Sequence, residues 1–137
     1  MKNSTRRQFL SSSGKIAVAG TSIIFAGTTP LSMREKNIFV HHVYFWLKNP
    51  GSKDDLNQLV DGLKKLAKVK TIKFHHIGQP AVTNREVIDR SYAISWLVFF
   101  ENKEDQESYQ TDPVHLKFIA ECSAVWSKVI VYDSVDI

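Results

Sequence analysis

The sequence is short of the residues that several site chemistries and architectures require. Cys122 is its only cysteine, so no disulfide can form within the chain. No glycine-rich phosphate-binding loop is present, and no serine lies in the G-x-S-x-G turn of the hydrolases. These absences argue against a disulfide-stapled scaffold, a P-loop nucleotide site and a serine-hydrolase active site.

The charge balance separates the first 33 residues from the rest. The first 33 residues contain no acid, and they hold four of the 18 basic residues: Lys2, Arg6, Arg7 and Lys15. Residues 34–137 therefore carry 14 basic and 14 acidic residues, although the whole chain has a formal charge of +4. No basic stripe remains in this part of the sequence, so we expect no nucleic-acid partner.

The first 33 residues predict an export signal. Residues 4–10 carry paired arginines followed by Phe-Leu and resemble the twin-arginine signal of bacterial export. The apolar run that follows, 16–26, is too short and too rich in Gly, Ser and Thr to span a bilayer stably. The alternative is a basic tail with a short buried helix. We expect residues 1–33 to be the signal and 34–137 to be a single domain, periplasmic or otherwise exported, without a stable membrane span.

Hydrophobic patterning gives the order of elements after the signal. Helical spacing predicts a first helix over 53–68. A second helix begins at 103, breaks off at about 109, restarts at Pro113 and runs to about 125. A polar loop over 79–89 is long enough to be functional. Segments rich in β-branched and aromatic residues predict four strands, at 38–47, 71–77, 91–100 and 126–133. The order β-α-β-β-α-β predicts the α+β class with a ferredoxin-like protomer.

The first strand is apolar on both of its faces. Val43 and Phe45 alternate with Tyr44 and Trp46, and successive residues of a strand face opposite sides of the sheet. Two helices can cover only one face of the sheet, so the apolar side chains of the other face need a further surface to pack against. A second copy of the sheet is the economical answer, and we expect a homodimer that closes as an α/β barrel.

The break in the second helix separates a phenol from an imidazole. Tyr109 and His115 lie six residues apart across Asp112-Pro113, so both side chains could enter one cavity between helix and sheet. A tyrosine and a histidine together can hold or move a proton near neutral pH. The alternative is that Tyr109 packs in the core while His115 caps the helix or hydrogen-bonds locally.

The strands carry two pairs of adjacent histidines. In each pair, His41-His42 and His75-His76, one side chain faces the helices and the other faces away. The sequence leaves open whether His41 or His42 faces the cavity. No carboxylate or cysteine accompanies them at ligand spacing, and we expect no metal site. Cys122 follows the apolar spacing of its helix, which predicts an inert buried thiol.

Three segments together resemble the stress-responsive dimeric α/β-barrel (Dabb) family. They are His42-Val-Tyr-Phe-Trp-Leu-Lys48 on the first strand, Tyr109…Asp112-Pro113-x-His115-x-x-Phe118 in the second helix, and Trp126 at the start of the last strand. The resemblance covers nearly all of the domain, about 39 to 133. It implies a ferredoxin-like protomer, a homodimer with packed sheets, and a pocket in each subunit between sheet and helices. We expect no cofactor.

The resemblance also implies site residues. A plant polyketide cyclase of this family closes its substrate by aldol condensation with a tyrosine and a histidine that match Tyr109 and His115. A histidine on its first strand matches His42, or His41 if the register shifts by one, and Tyr44 and Trp46 share the parity of His42. The remaining implied ligand-binding positions are Phe118, Ile119, Trp126, Val129 and Val131. Ile94 replaces a pocket histidine and Ile119 a pocket glycine, so we expect a smaller or differently shaped cavity.

Two hypotheses about function follow from these residues. The first is an exported stress-responsive dimer that binds a small apolar molecule without an assigned reaction. The second is a cofactor-independent cyclase, lyase or isomerase with His115 as general base and Tyr109 as the partner of the substrate oxygen. A monooxygenase of the wider barrel superfamily and an interaction role for the 79–89 loop are further alternatives.

Overall fold

A computed structural model describes residues 37–137 of the chain. The predicted export signal and its boundary with the domain lie outside these residues. Within the described part, no helix is long and apolar enough to cross a membrane.

Four strands form one antiparallel sheet in the order β2-β3-β1-β4. Their bounds are β1 Phe39–Leu47, β2 Ile72–Gly78, β3 Ile94–Phe100 and β4 Trp126–Val135. β3 begins three residues later than predicted, because Ser91 is still held in the preceding loop by Asp89, whose carboxylate accepts from the Ser91 backbone N–H. β1 lies inside the sheet between β3 and β4, so both of its edges are paired.

The predicted second helix is two helices. Helix α1 spans Lys53–Leu66, α2 spans Lys103–Thr111, and α3 spans Pro113–Cys122, followed by a short 3₁₀ turn at Ser123–Val125. Asp112 ends α2 with an extended backbone and caps α3, because its carboxylate accepts from the Val114 N–H. This sharp break places the side chains of α2 and α3 at different angles over the sheet.

The helices cover one face of the sheet and form the core with it. The fully buried side chains include Leu59, Leu63 and Leu66 of α1 and Trp96, Val98 and Phe100 of β3. Cys122 is also buried in this core, as its helical spacing predicts. Burial raises the pKa of the Cys122 thiol, and the charge of Glu121 adds to that effect, so the thiol is protonated near neutral pH.

The other face of the sheet carries large side chains and no helix of the described chain. His76, Leu97, His42 and Tyr132 form one row across the four strands. Tyr132 of this row is 62% exposed. We call this surface the open face.

Candidate functional site

A cavity of about 280 Å³ lies between the helix-facing side of the sheet and helices α2 and α3. Most of its walls are aliphatic or aromatic. The polar side chains around it belong to His41, Tyr109, Gln110 and His115. The apolar side chains are those of Val43, Phe45, Leu66, Trp96, Phe118, Ile119, Trp126, Val129 and Val131.

Seven of the residues predicted from the sequence are brought together in this cavity. They are Tyr109, His115, Phe118, Ile119, Trp126, Val129 and Val131. His42, Tyr44 and Trp46 do not line it, which corrects their predicted placement. They lie on the open face, because side chains alternate along β1 and the parity of His41 is the one that faces the helices.

His42, Tyr44 and Trp46 have partners of their own on the open face. Nδ1 of His42 lies 3.1 Å from the Tyr44 hydroxyl. The indole N–H of Trp46 donates to the Ser91 hydroxyl, and the ammonium of Lys128 lies 4.4 Å from its ring centroid. Burial lowers the pKa of His42, and the charges of His76 and His41 add to this effect.

Tyr109 is the most buried polar group of the cavity. Its side chain projects from α2, the residue is 1% exposed, and its hydroxyl accepts a hydrogen bond of 3.2 Å from the indole N–H of Trp96. Burial raises the pKa of the phenol well above its ordinary value, and the Trp96 bond only partly offsets this. The Tyr109 phenol is therefore neutral at physiological pH and can act as a hydrogen-bond donor.

His115 lies beside Tyr109 in the first turn of α3. Their ring centroids are 4.7 Å apart. Burial lowers the pKa of His115, and the nearby backbone of Gln110 acts against this. Its Nδ1 atom is buried without a hydrogen-bond partner in residues 37–137. The imidazole is thus neutral near pH 7, and a molecule in the cavity could satisfy its free nitrogen.

A second imidazole stands across the cavity and is held by a carboxylate. Nδ1 of His41 lies 2.6 Å from Oδ1 of Asp133, its cross-strand neighbour in the β1–β4 pair. A carboxylate accepts, so the Nδ1–H of His41 donates to Asp133. The centroid of this ring is 5.9 Å from that of Tyr109. Sequence reasoning missed Asp133 and Trp96. The β1–β4 register brings Asp133 to His41, and the packing of α2 on the sheet brings Trp96 to Tyr109.

The histidines of β2 do not join this group. His75 packs its ring 5.6 Å from the indole of Trp96, whereas His76 lies on the open face. Within the part of the chain that the structure describes, no three His, Cys, Asp or Glu side chains are grouped so that they could hold a metal ion.

Comparison with known proteins identifies similar domains. A family model described as the stress responsive A/B barrel domain matches residues 39–136. A Dabb family protein with a ferredoxin-like fold from Mesorhizobium loti is 19% identical, with a TM-score of 0.62 over 74% of this chain and 98% of that chain. No curated protein matches the chain.

Two further solved structures share the fold. A dimeric ferredoxin-like protein of unknown function from Thermobifida fusca is 16% identical, with a TM-score of 0.60 over 74% of this chain and 93% of that chain. A hydroxynitrile lyase from Passiflora edulis is 19% identical, with a TM-score of 0.62 over 74% of this chain and 95% of that chain. At these identities the likeness shows the fold, and the predicted ferredoxin-like architecture is confirmed.

Proposed function

The chain belongs to the stress responsive A/B barrel domain family, and on that premise we propose that it is an exported homodimer that binds a small, largely apolar molecule. The observation that carries the proposal is the make-up of the cavity, in which aliphatic and aromatic walls surround a few polar groups at Tyr109, His115 and His41. Small-molecule sites commonly have this composition, because apolar area supplies affinity and a few polar atoms fix orientation.

The open face supports the homodimer. No helix of residues 37–137 covers this face, which leaves Tyr132 62% exposed, and similar structures from Thermobifida fusca and Jannaschia are dimeric ferredoxin-like proteins. A second copy of the same sheet would cover this surface through a two-fold interface. The cavity lies on the opposite side of the sheet, so each subunit would keep its own site.

Export to the periplasm is the third element of the proposal. Its support is the paired arginines at residues 4–10 and the short apolar run after them. A domain with a single buried thiol needs no disulfide, which suits a route that carries folded proteins.

A native mass spectrum of the protein from the periplasmic fraction of its host tests these elements together. We expect a dimer that carries an added mass. Tyr109→Phe and His115→Ala should each keep the dimer and weaken ligand retention about three- to tenfold, the effect of one net hydrogen bond. Ser108→Ala, at an exposed position of α2, is the matched control and should retain the ligand fully.

This experiment can contradict export, the homodimer and the ligand site independently of one another. Protein confined to the cytoplasm would contradict export alone, and a monomer would contradict the homodimer alone. A bound molecule retained equally by Tyr109→Phe, His115→Ala and the unaltered protein would contradict the placement of the ligand in this cavity.

A cofactor-independent lyase, cyclase or isomerase is the second candidate function. The observation that favours it is the grouping of a neutral phenol with two imidazoles, one held by Asp133. His115 would take a proton from a carbon beside a carbonyl group, and the C–H electron pair would move into the enolate. Tyr109 would donate a hydrogen bond to the developing enolate oxygen, and the proton would return to carbon or oxygen. The hydroxynitrile lyase from Passiflora edulis has the same fold.

Deuterium exchange into a simple ketone tests this second function. With 1-indanone in D₂O, we expect the protein to speed exchange at the carbon beside the carbonyl group, and His115→Ala to lower that rate by about 100-fold or more. Burial lowers the pKa of His115 from 6.5, so the neutral base persists below pH 6.5 and the rate should fall only at more acidic pH. An unchanged rate in His115→Ala, with the dimer intact, would show that the base is elsewhere.

A further inference from the structure

The hydrogen bond between Trp96 and Tyr109 fixes the direction in which the phenol can act. An indole N–H only donates, so the Tyr109 hydroxyl is the acceptor in this 3.2 Å contact. The hydroxyl proton must then point away from Trp96. Both residues are 1% exposed, so water does not compete freely for either group.

The Tyr109 hydroxyl proton has no acceptor among residues 37–137. The hydroxyl makes its one side-chain hydrogen bond to Trp96, and the rings of His115, Phe100 and His41 pack against the Tyr109 ring. A buried donor without an acceptor is unfavourable by an amount similar to a lost hydrogen bond. Because Trp96 and Tyr109 both line the cavity, a molecule bound there is the available acceptor.

The sheet holds Trp96 in place to do this. In β3 it is opposite Val43 of β1 and Ile77 of β2, and its ring packs against His75. These neighbours hold the indole on the helix-facing side of the sheet, and its N–H points at Tyr109 of α2. Trp96 therefore acts on a ligand through Tyr109, as a positioning residue.

We propose that Trp96 makes Tyr109 an obligatory hydrogen-bond donor, so that the cavity selects small apolar molecules that carry an acceptor oxygen of the carbonyl type. This inference rests on the proposed binding function and names the ligand class for it. The carbonyl oxygen accepts from Tyr109 while the hydrocarbon part packs against the side chains of Phe45, Phe118 and Val129. A molecule of the same shape without an acceptor leaves the Tyr109 proton unpaired.

Three bicyclic probes of matched size test the selection: 1-indanone (an acceptor), indane (apolar) and indole (a donor). We expect 1-indanone to bind about three- to tenfold more tightly than indane. Tyr109→Phe should remove most of that ratio. Trp96→Phe should lower the same ratio and raise the affinity of indole relative to indane, because the freed phenol oxygen can then accept. A purely structural loss would weaken all three probes alike.

The matched control is Trp46→Phe, which removes an indole N–H from Ser91 on the open face and should leave both ratios unchanged. Equal binding of 1-indanone and indane to the unaltered protein would overturn the inference and leave the binding function standing. Failure of all three probes to bind would overturn the proposed function itself.

A measurement on the unaltered protein covers the case in which Trp96→Phe does not fold. The infrared carbonyl stretch of bound 1-indanone should lie at lower frequency than that of the ketone in a dry apolar solvent, and Tyr109→Phe should shift it back. A bound carbonyl at the apolar-solvent frequency would overturn the inference.

Discussion

Replacement of Gly62 by alanine is expected to destabilise the folded domain by about 1–3 kcal/mol, the usual result of overpacking a core. A Cβ atom at this position would lie 2.5 Å from Sγ of Cys122 and 3.0 Å from Cδ2 of Phe118. Both neighbours are buried in α3, so neither can move freely. In an exposed helix the same change would stabilise by about 1 kcal/mol through helix propensity, and here the contact between α1 and α3 reverses the sign.

Urea denaturation of Gly62→Ala at fixed protein concentration measures this effect. Gly51→Ala is the matched control, because nothing lies within 4 Å of a Cβ at that position. The double variant Gly62→Ala/Cys122→Ala should recover part of the loss, since it removes the closer of the two contacts, and a double-mutant cycle would show the coupling. A stability of Gly62→Ala equal to or above that of the unaltered protein would show that α1 and α3 are not in close contact.

The same contact links the stability of the fold to the site. Phe118 packs against Gly62 on one side and lines the cavity on the other. A shift of its ring by a few tenths of an ångström would change the shape of the cavity wall. We therefore regard the close approach of α1 and α3 as a determinant of cavity size as well as of stability.

Gly62 also shows how far sequence reasoning reaches. A glycine inside an amphipathic helix indicates the close approach of another backbone. The nearest atoms belong to the side chains of Cys122 and Phe118, and no helical periodicity could name them. The order of strands and helices and the break at Pro113 were predictable for a related reason, since they rest on local patterns that each segment carries itself.

The choice between His41 and His42 was beyond the sequence. Alternation on β1 shows that the two face opposite sides, but large apolar residues occupy both sides, so the pattern does not indicate which side the helices cover. Asp133 and Trp96 were missed because their partners are distant in sequence. Asp133 lies 92 residues from His41 and Trp96 lies 13 residues from Tyr109, and only the packed sheet and helices bring them together.

The open face gives the prediction with the largest expected effect on assembly. Leu97 stands in the middle of this surface, between His42 and His76 on the neighbouring strands. Leu97→Lys would bury an unpaired charge twice in a two-fold dimer. Each unpaired buried charge at an interface is unfavourable by several kcal/mol, so we expect the dimer dissociation constant to rise by about 100-fold or more.

Sedimentation velocity at micromolar concentration measures this change, with far-UV circular dichroism to confirm that the subunit stays folded. The control Leu116→Lys makes the same substitution on α3, at a leucine that is 57% exposed, and should leave the dimer intact. The cavity lies on the other side of the sheet, so a folded Leu97→Lys monomer should still bind 1-indanone through Tyr109. Persistence of the Leu97→Lys dimer would mean that the subunits meet through another surface, whereas loss of binding together with the dimer would mean that the partner subunit helps to shape the cavity.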